Sequence, residues 1–204
     1  MQEHVAEEGS GGCPSAVELL GWSLPERSEE IPSLEWLVER LRRSRPDWRL
    51  LESLVRFDPS GYSRCVVQRT AACELVLVCW LPGQVSRVHD HGGSSGVSWV
   101  MRGELCETRY AWGGDRLLPA FRSSTEEGGF LLERPETIHR IHNGSRHGAV
   151  SLHVYAPPMA GMTRYDASVP PLLDAELSLR GVLRPPRPPA AAAAARRRRP
   201  TRAT

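Results

Sequence analysis

The chain has 204 residues, of which 40% are hydrophobic and 25% are charged, enough for one folded domain with terminal extensions. All 26 basic residues are arginine, which excludes Schiff-base catalysis by lysine and a P-loop nucleotide site. No apolar run approaches the roughly 20 residues of a membrane span, and the acidic start MQEHVAEEGSGG lacks the apolar segment of a secretory signal. Five cysteines without a CxxC spacing favour reduced thiols. These features predict a cytoplasmic protein with no membrane partner.

The net charge of +2 combines two regions of opposite charge. Residues 184–204 contain seven arginines and no acidic residue, so the rest of the chain has 19 basic and 24 acidic residues, a net charge of −5. The segment is rich in Pro, Ala and Arg and has little to bury, which predicts a disordered basic tail. An arginine run can bind nucleic acid or an anionic surface electrostatically. Because nothing else resembles a nucleic-acid module, we expect no specific nucleic-acid partner.

Helical patterning dominates the N-terminal part of the chain. Residues 1–14 are expected to be disordered and residues 15–56 to be helical. Ser33 is a suitable N-cap for a helix over 34–41, whose apolar residues recur at helical spacing. A second short helix is expected to open at Pro46.

From residue 62 onward, short runs rich in Val, Leu, Trp and Tyr are separated by Gly, Pro and Ser. Many short strands at this spacing are typical of a sandwich or barrel. We therefore predict a mainly β domain over 15–183, with a jelly-roll β-barrel over 62–158, short helices before it and a last short helix over 172–183. The predicted strands are 64–70, 73–81, 85–90, 96–102, 104–111, 115–121, 129–134, 137–142 and 148–156.

Histidines are concentrated in the predicted barrel, where six of the seven lie between residues 89 and 153. On a strand, His89 and His91 would point to the same face, so their imidazoles would converge inside the barrel. Gly92 follows immediately and lets the backbone pass close to a bound ion. Histidine is the commonest metal ligand in proteins, although such a pair alone is more often structural or solvent-facing.

The wider spacing favours a metal site. Gly83, His89, His91 and Gly103 match the spacing of the first cupin motif, in which Gly96 stands where a glutamate ligand is usual. The expected fold is therefore a cupin-type barrel.

A second cupin motif follows about 40 residues later. It comprises Gly129, Pro135, His139 and Asn143, with one residue fewer than usual between the proline and the histidine. Three neutral imidazoles without a carboxylate would leave a divalent metal ion its full charge, available to anionic groups of a substrate.

Over more than half of its length, from about residue 54 to residue 166, the chain resembles the cysteine dioxygenase family of thiol dioxygenases in its bacterial form. Four parts of the sequence carry the resemblance, and the last is the most specific: GYSR at 61–64; LVCW at 77–80 followed by RVHDH at 87–91; IHR at 138–140 with Asn143; and VSLHVYAPP at 150–158.

The resemblance implies a metal site and a substrate site. His89, His91 and His139 would be the ligands of Fe(II). Arg64 would bind the substrate carboxylate, for which a guanidinium is a suitable bidentate partner. Tyr62 would help to frame that end of the substrate.

The resemblance also implies a catalytic hydrogen-bonded relay of Ser151, His153 and Tyr155, with the tyrosine hydroxyl beside the metal. On a strand these residues share one face. Gly96 excludes the cysteine that is cross-linked to this tyrosine in animal members, which fits the bacterial branch. Cys65 directly follows Arg64 in a segment patterned as a strand. Its thiol could be inert or could oxidise.

The implied activity is Fe(II)-dependent addition of both atoms of O₂ to the sulfur of L-cysteine, giving cysteine sulfinic acid. The implied partners are a small-molecule thiol and O₂, and we expect a monomer. Two alternatives stay open: a dioxygenase of another small thiol such as 3-mercaptopropionate, and a non-catalytic cupin module whose metal is structural or absent. A zinc hydrolase is a weaker variant, since three histidines also suit catalytic zinc.

Overall fold

The computed structural model describes residues 14–166. The predicted helix over 172–183 and the basic tail at 184–204 lie outside the described residues, as does all but the last residue of the segment 1–14. Within the described part, no helix is long and apolar enough to cross a membrane.

Three short α-helices precede the barrel, each begun by a polar side chain. Ser15 and Glu18 form a reciprocal capping box at α1, Ser33 accepts a hydrogen bond from a backbone N–H of α2, and Asp47 does the same for α3. Irregular segments and a short 3₁₀ helix over Ser28–Glu30 separate the α-helices, so the α-helical content is lower than expected for 15–56. The helices are α1 Ala16–Leu20, α2 Leu34–Arg43 and α3 Trp48–Leu54.

A glycine ends the first helix, and an aspartate sets the start of the third. Gly21 has φ of 80°, a left-handed conformation that ends α1. The third helix begins after the Asp47 cap rather than at Pro46 itself.

Ten strands lie within residues 14–166, and nine follow the predicted segments in order. The first sheet has the antiparallel order β1-β2-β9-β4-β7, and the second has the order β10-β3-β8-β5-β6. The strands are β1 Ser63–Arg69, β2 Glu74–Trp80, β3 Val88–His89, β4 Ser95–Arg102, β5 Glu104–Gly113, β6 Arg116–Glu126, β7 Phe130–Glu133, β8 Ile138–His142, β9 Ala149–Ala156 and β10 Arg164–Tyr165.

From β2 to β10 the chain crosses between the two sheets at every connection except the β5–β6 hairpin. Successive strands therefore face each other across the interior instead of pairing side by side. This is the predicted mainly β, cupin-type jelly-roll barrel. Three local differences from the predicted strands are that β3 has only two residues, β6 extends to Glu126, and β10 was not predicted.

Side chains on the two faces of the first sheet belong to two different hydrophobic clusters. On β2, Leu75 and Leu77 pack with the helices in an outer cluster, whereas Val76, Val78 and Trp80 face the barrel interior. Because both faces of the strand are covered, all seven of its residues are buried. The interior face of this sheet is the one that carries the polar residues described next.

Candidate active site

Three histidines meet inside the barrel. His89 ends β3 and lies directly opposite His139 of β8 in the antiparallel register. His91 follows in a turn, and Gly92 and Gly93 after it have φ of 60° and 89°, which favour glycine. One ring nitrogen from each histidine lies within 4.8 Å of those of the others. The structure therefore brings together the three predicted ligands.

Hydrogen bonds orient two of these rings. His89 Nδ1 lies 2.8 Å from the carbonyl oxygen of Arg87, and His139 Nδ1 lies 2.8 Å from Glu107 Oε1. When Nδ1 carries the proton, Nε2 is left with its lone pair, as metal-ligating histidines require. Burial lowers the pKa of His91 to about 4 and that of His139 well below its usual value, so both rings are neutral near pH 7.

The third ring, that of His91, is fully buried, yet neither of its nitrogens has a hydrogen-bond partner among residues 14–166. An unpaired buried polar group is costly, and a bound metal ion would remove that cost for one of the two nitrogens. Together with the converging neutral nitrogens, this feature shows that the donor set fits a divalent transition metal.

Behind His139 lies a pair of charged residues that the sequence reasoning missed. Glu107 is 1% exposed at its side chain, and its second oxygen accepts a hydrogen bond from Arg109 Nε at 3.0 Å. Burial raises the pKa of the Glu107 carboxyl, and the Arg109 guanidinium opposes that rise. The pair fixes the orientation of the histidine ring. In the sequence, this pair is marked only by an acidic residue, Glu107, inside a run that is otherwise typical of a strand.

The predicted relay is present on β9. Ser151 Oγ lies 2.7 Å from His153 Nε2, and His153 Nδ1 lies 2.9 Å from the hydroxyl of Tyr155. Two residues that were not predicted extend it, since Trp80 Nε1 donates to Ser151 Oγ at 3.1 Å and Ser98 Oγ lies 2.5 Å from His153 Nδ1. Tyr155, the last residue of the relay, contacts the triad.

The contact between relay and triad is a ring stack. The Tyr155 and His91 rings have centroids 5.5 Å apart and an interplanar angle of 26°. Burial, with a smaller contribution from the Arg64 charge, lowers the pKa of His153 to about 3. Burial, with a smaller contribution from Glu133, raises the pKa of Tyr155 well above its usual value. Near neutral pH the histidine is therefore uncharged and the tyrosine keeps its proton.

Arg64 is held by a buried acid. Its Nη2 forms an ion pair with Glu74 Oε1, and Arg69 Nη1 lies 3.3 Å from the other oxygen of the same carboxylate. The Glu74 side chain is 1% exposed and that of Arg64 is 18% exposed. The guanidinium is thus held in place by a buried carboxylate that the sequence reasoning missed.

Two other predicted residues of this region lie on different sides of the sheet. Tyr62 stacks on Trp80 with ring centroids 4.4 Å apart, on the interior side. Cys65 packs against the outer cluster, beneath the helices, although it follows Arg64 directly. The alternation of side chains along β1 explains the separation.

A buried carboxylate that the sequence reasoning missed also lies beside the triad, which itself consists of the three predicted imidazoles. Glu133 of β7 is 1% exposed, and its Oε1 accepts a hydrogen bond from Ser98 at 2.6 Å. Its Oε2 lies 3.5 Å from His91 Nε2. Burial raises the pKa of this carboxyl to about 7, and the Ser98 hydrogen bond opposes that rise. The cupin motif has its usual glutamate at the position of Gly96, whereas this acid comes from the neighbouring strand.

Comparison with known proteins agrees with this geometry. Cysteine dioxygenase type 1 of Danio rerio is 27% identical over 149 residues, which cover 68% of this chain and 71% of the relative. The human enzyme of the same name is 27% identical over 142 residues, covering 67% of this chain and 70% of the relative.

Solved structures give weaker matches. A protein of Thermus thermophilus is 26% identical with a TM-score of 0.46, covering 53% of this chain and 94% of that chain. A Klebsiella pneumoniae protein with a double-stranded β-helix domain is 22% identical with a TM-score of 0.49, covering 56% of this chain and 87% of that chain.

The family model described as Cysteine dioxygenase type I matches residues 30–168, which include the triad, the relay and the Arg64–Glu74 pair. Its members' names, together with the three-histidine cluster, support a metal cofactor, a small-molecule substrate and thiol dioxygenase activity. Since the match covers more than half of the sequence, the chain belongs to the cysteine dioxygenase family.

Proposed function

We propose that this protein is an Fe(II)-dependent cysteine dioxygenase that converts L-cysteine to cysteine sulfinic acid. The observation that carries the proposal is the contact between Tyr155 and His91, which joins a hydrogen-bonded relay to a three-histidine cluster in one buried site. Family membership supports the same chemistry.

The reaction balances without another reductant. Both atoms of O₂ are transferred to the thiol sulfur, which gives up four electrons that the oxygen takes up, and the thiol proton is retained in the sulfinic acid. A ferrous ion held by His89, His91 and His139 would supply a Lewis acid that keeps the thiol deprotonated and a redox centre for O₂.

Substrate orientation is assigned to Arg64. A guanidinium binds a carboxylate with two parallel hydrogen bonds, and the ion pair with Glu74 limits where that guanidinium can lie. Tyr62, stacked on Trp80, would border the same end of the site. An L-cysteine carboxylate bound here would direct the thiol toward the triad.

The hydrogen bonds of the relay have a consistent direction. Trp80 Nε1 can only donate, so Ser151 Oγ accepts from it. The Ser151 hydroxyl is then free to donate its own proton to His153 Nε2, 2.7 Å away. A neutral His153 must in that case carry its proton on Nδ1.

This direction decides what Tyr155 can do. A protonated His153 Nδ1 donates toward the Tyr155 and Ser98 oxygens. Ser98 donates its own proton to Glu133, and the Tyr155 hydroxyl keeps a proton that either Glu133 or a group bound at the triad can accept. We therefore assign Tyr155 the role of hydrogen-bond donor to the reacting groups, consistent with its raised pKa.

A cytoplasmic location is part of the proposal. Three cysteines of residues 14–166 are free thiols, namely Cys65, Cys73 and Cys79. Free thiols are the common state in a reducing compartment, where an L-cysteine substrate would also keep its thiol.

Oxygen uptake by the Fe(II)-loaded full chain tests the proposal. L-cysteine, 3-mercaptopropionate and cysteamine are compared, with sulfinate measured as the product. We expect uptake with L-cysteine matched by cysteine sulfinic acid. Uptake with 3-mercaptopropionate alone would overturn the substrate, and no uptake despite bound iron would favour a non-catalytic metal-binding module.

The Arg64→Gln variant sharpens that test. It should raise the KM for L-cysteine at least about tenfold, since a charged hydrogen bond is worth roughly 1.5–3 kcal/mol. Cysteamine has no carboxylate and serves as the matched control substrate, for which KM should change little. Equal effects on both thiols would contradict the assignment of Arg64.

A further inference from the structure

One acidic residue lies between two members of the triad. Asp90 separates His89 from His91 in the sequence, and its carboxylate is not part of the cluster of converging ring nitrogens. We propose that Asp90 is a positioning residue of the metal site, which holds the turn that carries His91 in its ligating arrangement. The inference rests on the metal site of the proposed function, and it assigns a task to a side chain that would not itself bind the metal.

The carboxylate of Asp90 fixes the start of the turn after β3. Its Oδ1 accepts a hydrogen bond from the backbone N–H of Gly92 at 3.0 Å, so the bonded ring encloses the backbone of His91. The turn itself is closed by the backbone N–H of Ser94, which donates to the carbonyl oxygen of His91 at 3.1 Å. The Asp90 bond therefore determines how the turn leaves β3, and with it the direction of the His91 side chain.

The same residue fastens the segment that follows the relay. Residues 157–165, here the strap, leave the end of β9 and finish in β10, which pairs with β3. Asp90 Oδ1 also accepts from the backbone N–H of Thr163 at 3.0 Å, and the backbone N–H of Asp90 donates to the carbonyl oxygen of Thr163 at 3.1 Å. Asp90 Oδ2 accepts from the hydroxyl of Tyr165 at 2.7 Å. One aspartate thus joins the turn to the strap.

The strap also packs directly against the turn. A Cβ atom built at Gly92 would lie 2.5 Å from the carbonyl oxygen of Ala160, so a larger residue at this position would collide with the strap. Nearer its start, the strap is held by the first sheet, where Arg69 Nη2 donates to the carbonyl oxygen of Met159 at 3.2 Å. The strap therefore runs from the sheet that carries the relay to the turn that carries His91, and Asp90 is its attachment at the turn.

This arrangement predicts which ligand depends on Asp90. His89 lies on β3, where strand pairing with His139 of β8 and with Arg164 of β10 fixes its backbone. His91 lies beyond the end of that strand and relies on the turn. Removal of the Asp90 carboxylate should therefore leave the barrel folded but allow the His91 ring to move from its ligating position.

Anaerobic titration of the full chain with Co(II), followed by calorimetry and by the visible ligand-field bands, tests the inference. Asp90→Ala should bind Co(II) about tenfold more weakly, the lower end of the range for contacts behind a metal ligand, and should shift the bands. Asp90→Asn keeps a side-chain oxygen that can accept from the N–H groups of Gly92 and Thr163, so it should recover most of the lost affinity. Tyr165→Phe removes one hydrogen bond to the strap and should weaken binding about threefold.

The matched control is Asp47→Ala. It also removes an aspartate that bonds a backbone N–H, but at the start of α3, which packs against the outer cluster. This variant should be less stable than the wild type by a helix cap, yet keep its bands and bind Co(II) within about twofold.

The outcomes separate the two levels of the proposal. Wild-type bands and affinity in folded Asp90→Ala would overturn the positioning role, and so would equal losses in Asp90→Ala and Asp90→Asn, because the charge rather than the backbone hydrogen bonds would then be responsible. If circular dichroism shows that Asp90→Ala is unfolded, Tyr165→Phe decides, and wild-type affinity in that variant would overturn the proposal. Wild-type protein that binds no Co(II) would instead contradict the metal site of the proposed function.

Discussion

The two sheets of the barrel contribute different chemistry to one site. The second sheet, here the triad sheet, carries His89 and His139 and orients the latter through the charged pair Glu107 and Arg109. The first sheet, here the relay sheet, contributes mainly neutral groups that pass hydrogen bonds along β9 to Tyr155. The difference suggests a division of labour: triad-sheet changes should alter metal affinity, and changes in the neutral relay should alter turnover at unchanged metal content.

The largest effect should come from the triad itself. We expect His89→Ala to lower Fe(II) affinity at least about a hundredfold, because it removes one of three converging nitrogens. Iron content after anaerobic loading measures the effect. The control is His147→Ala, since the hydrogen bonds of His147 use main-chain atoms. Iron retained at the wild-type level in His89→Ala would show that the ligand set is wrong.

The charged pair behind the triad should have the next largest effect. In Glu107→Gln the side-chain size is kept but the acceptor for His139 Nδ1 loses its charge. Outer contacts of this kind are worth about 10–100-fold in metal affinity, and calorimetric titration with Co(II) should show a loss in that range. Normal affinity with slower turnover would instead place Glu107 in the functional class of the relay.

The neutral relay should respond in the opposite way. Tyr155→Phe removes the hydroxyl at the end of the relay but keeps the ring that stacks on His91. Turnover with L-cysteine should fall about 10–100-fold, while metal content and affinity stay at the wild-type level. Parallel assays of oxygen uptake and iron content measure both. A loss of metal in this variant would erase the distinction between the two sheets.

The parts of the site that the sequence predicts are those determined within a single strand or turn. Alternation along β9 places Ser151, His153 and Tyr155 on one face, and the resemblance to a family gave these three their role. His91 lies beyond the end of β3, so its place in the triad depends on the segment after that strand rather than on alternation. The fold class follows from the density of short strands and turn residues. The resemblance to a family added the role of Arg64.

The parts that were missed depend on which strands become neighbours. Glu74 reaches Arg64 although its register partners are Arg69 and Tyr155, and Glu133 meets the triad because β7 pairs with β4. Strand pairing across the barrel is not readable from local periodicity, since the same alternation fits many registers.

A smaller effect should appear in the pH dependence of stability. Because burial lowers the pKa of His153 from 6.5 to about 3, the unfolded chain binds the extra proton between these values. The free energy of unfolding should therefore fall as the pH drops through this window, by up to about 1.4 kcal/mol per pH unit, and be unaffected by this group above it. In His153→Gln that contribution is absent. Urea unfolding of both proteins across the window gives the difference, and equal slopes would contradict a buried neutral histidine.

The smallest effect should come from Cys65, the immediate neighbour of Arg64. Because side chains alternate along β1, its thiol packs beneath the helices rather than in the site. Cys65→Ala should keep kcat/KM for L-cysteine within about twofold and lower the free energy of unfolding by about 1 kcal/mol or less. Steady-state kinetics and urea unfolding of the variant test both values. A changed KM for L-cysteine would mean that the two faces of β1 are coupled, and the relay sheet would then be sensitive to its outer packing as well as to its interior hydrogen bonds.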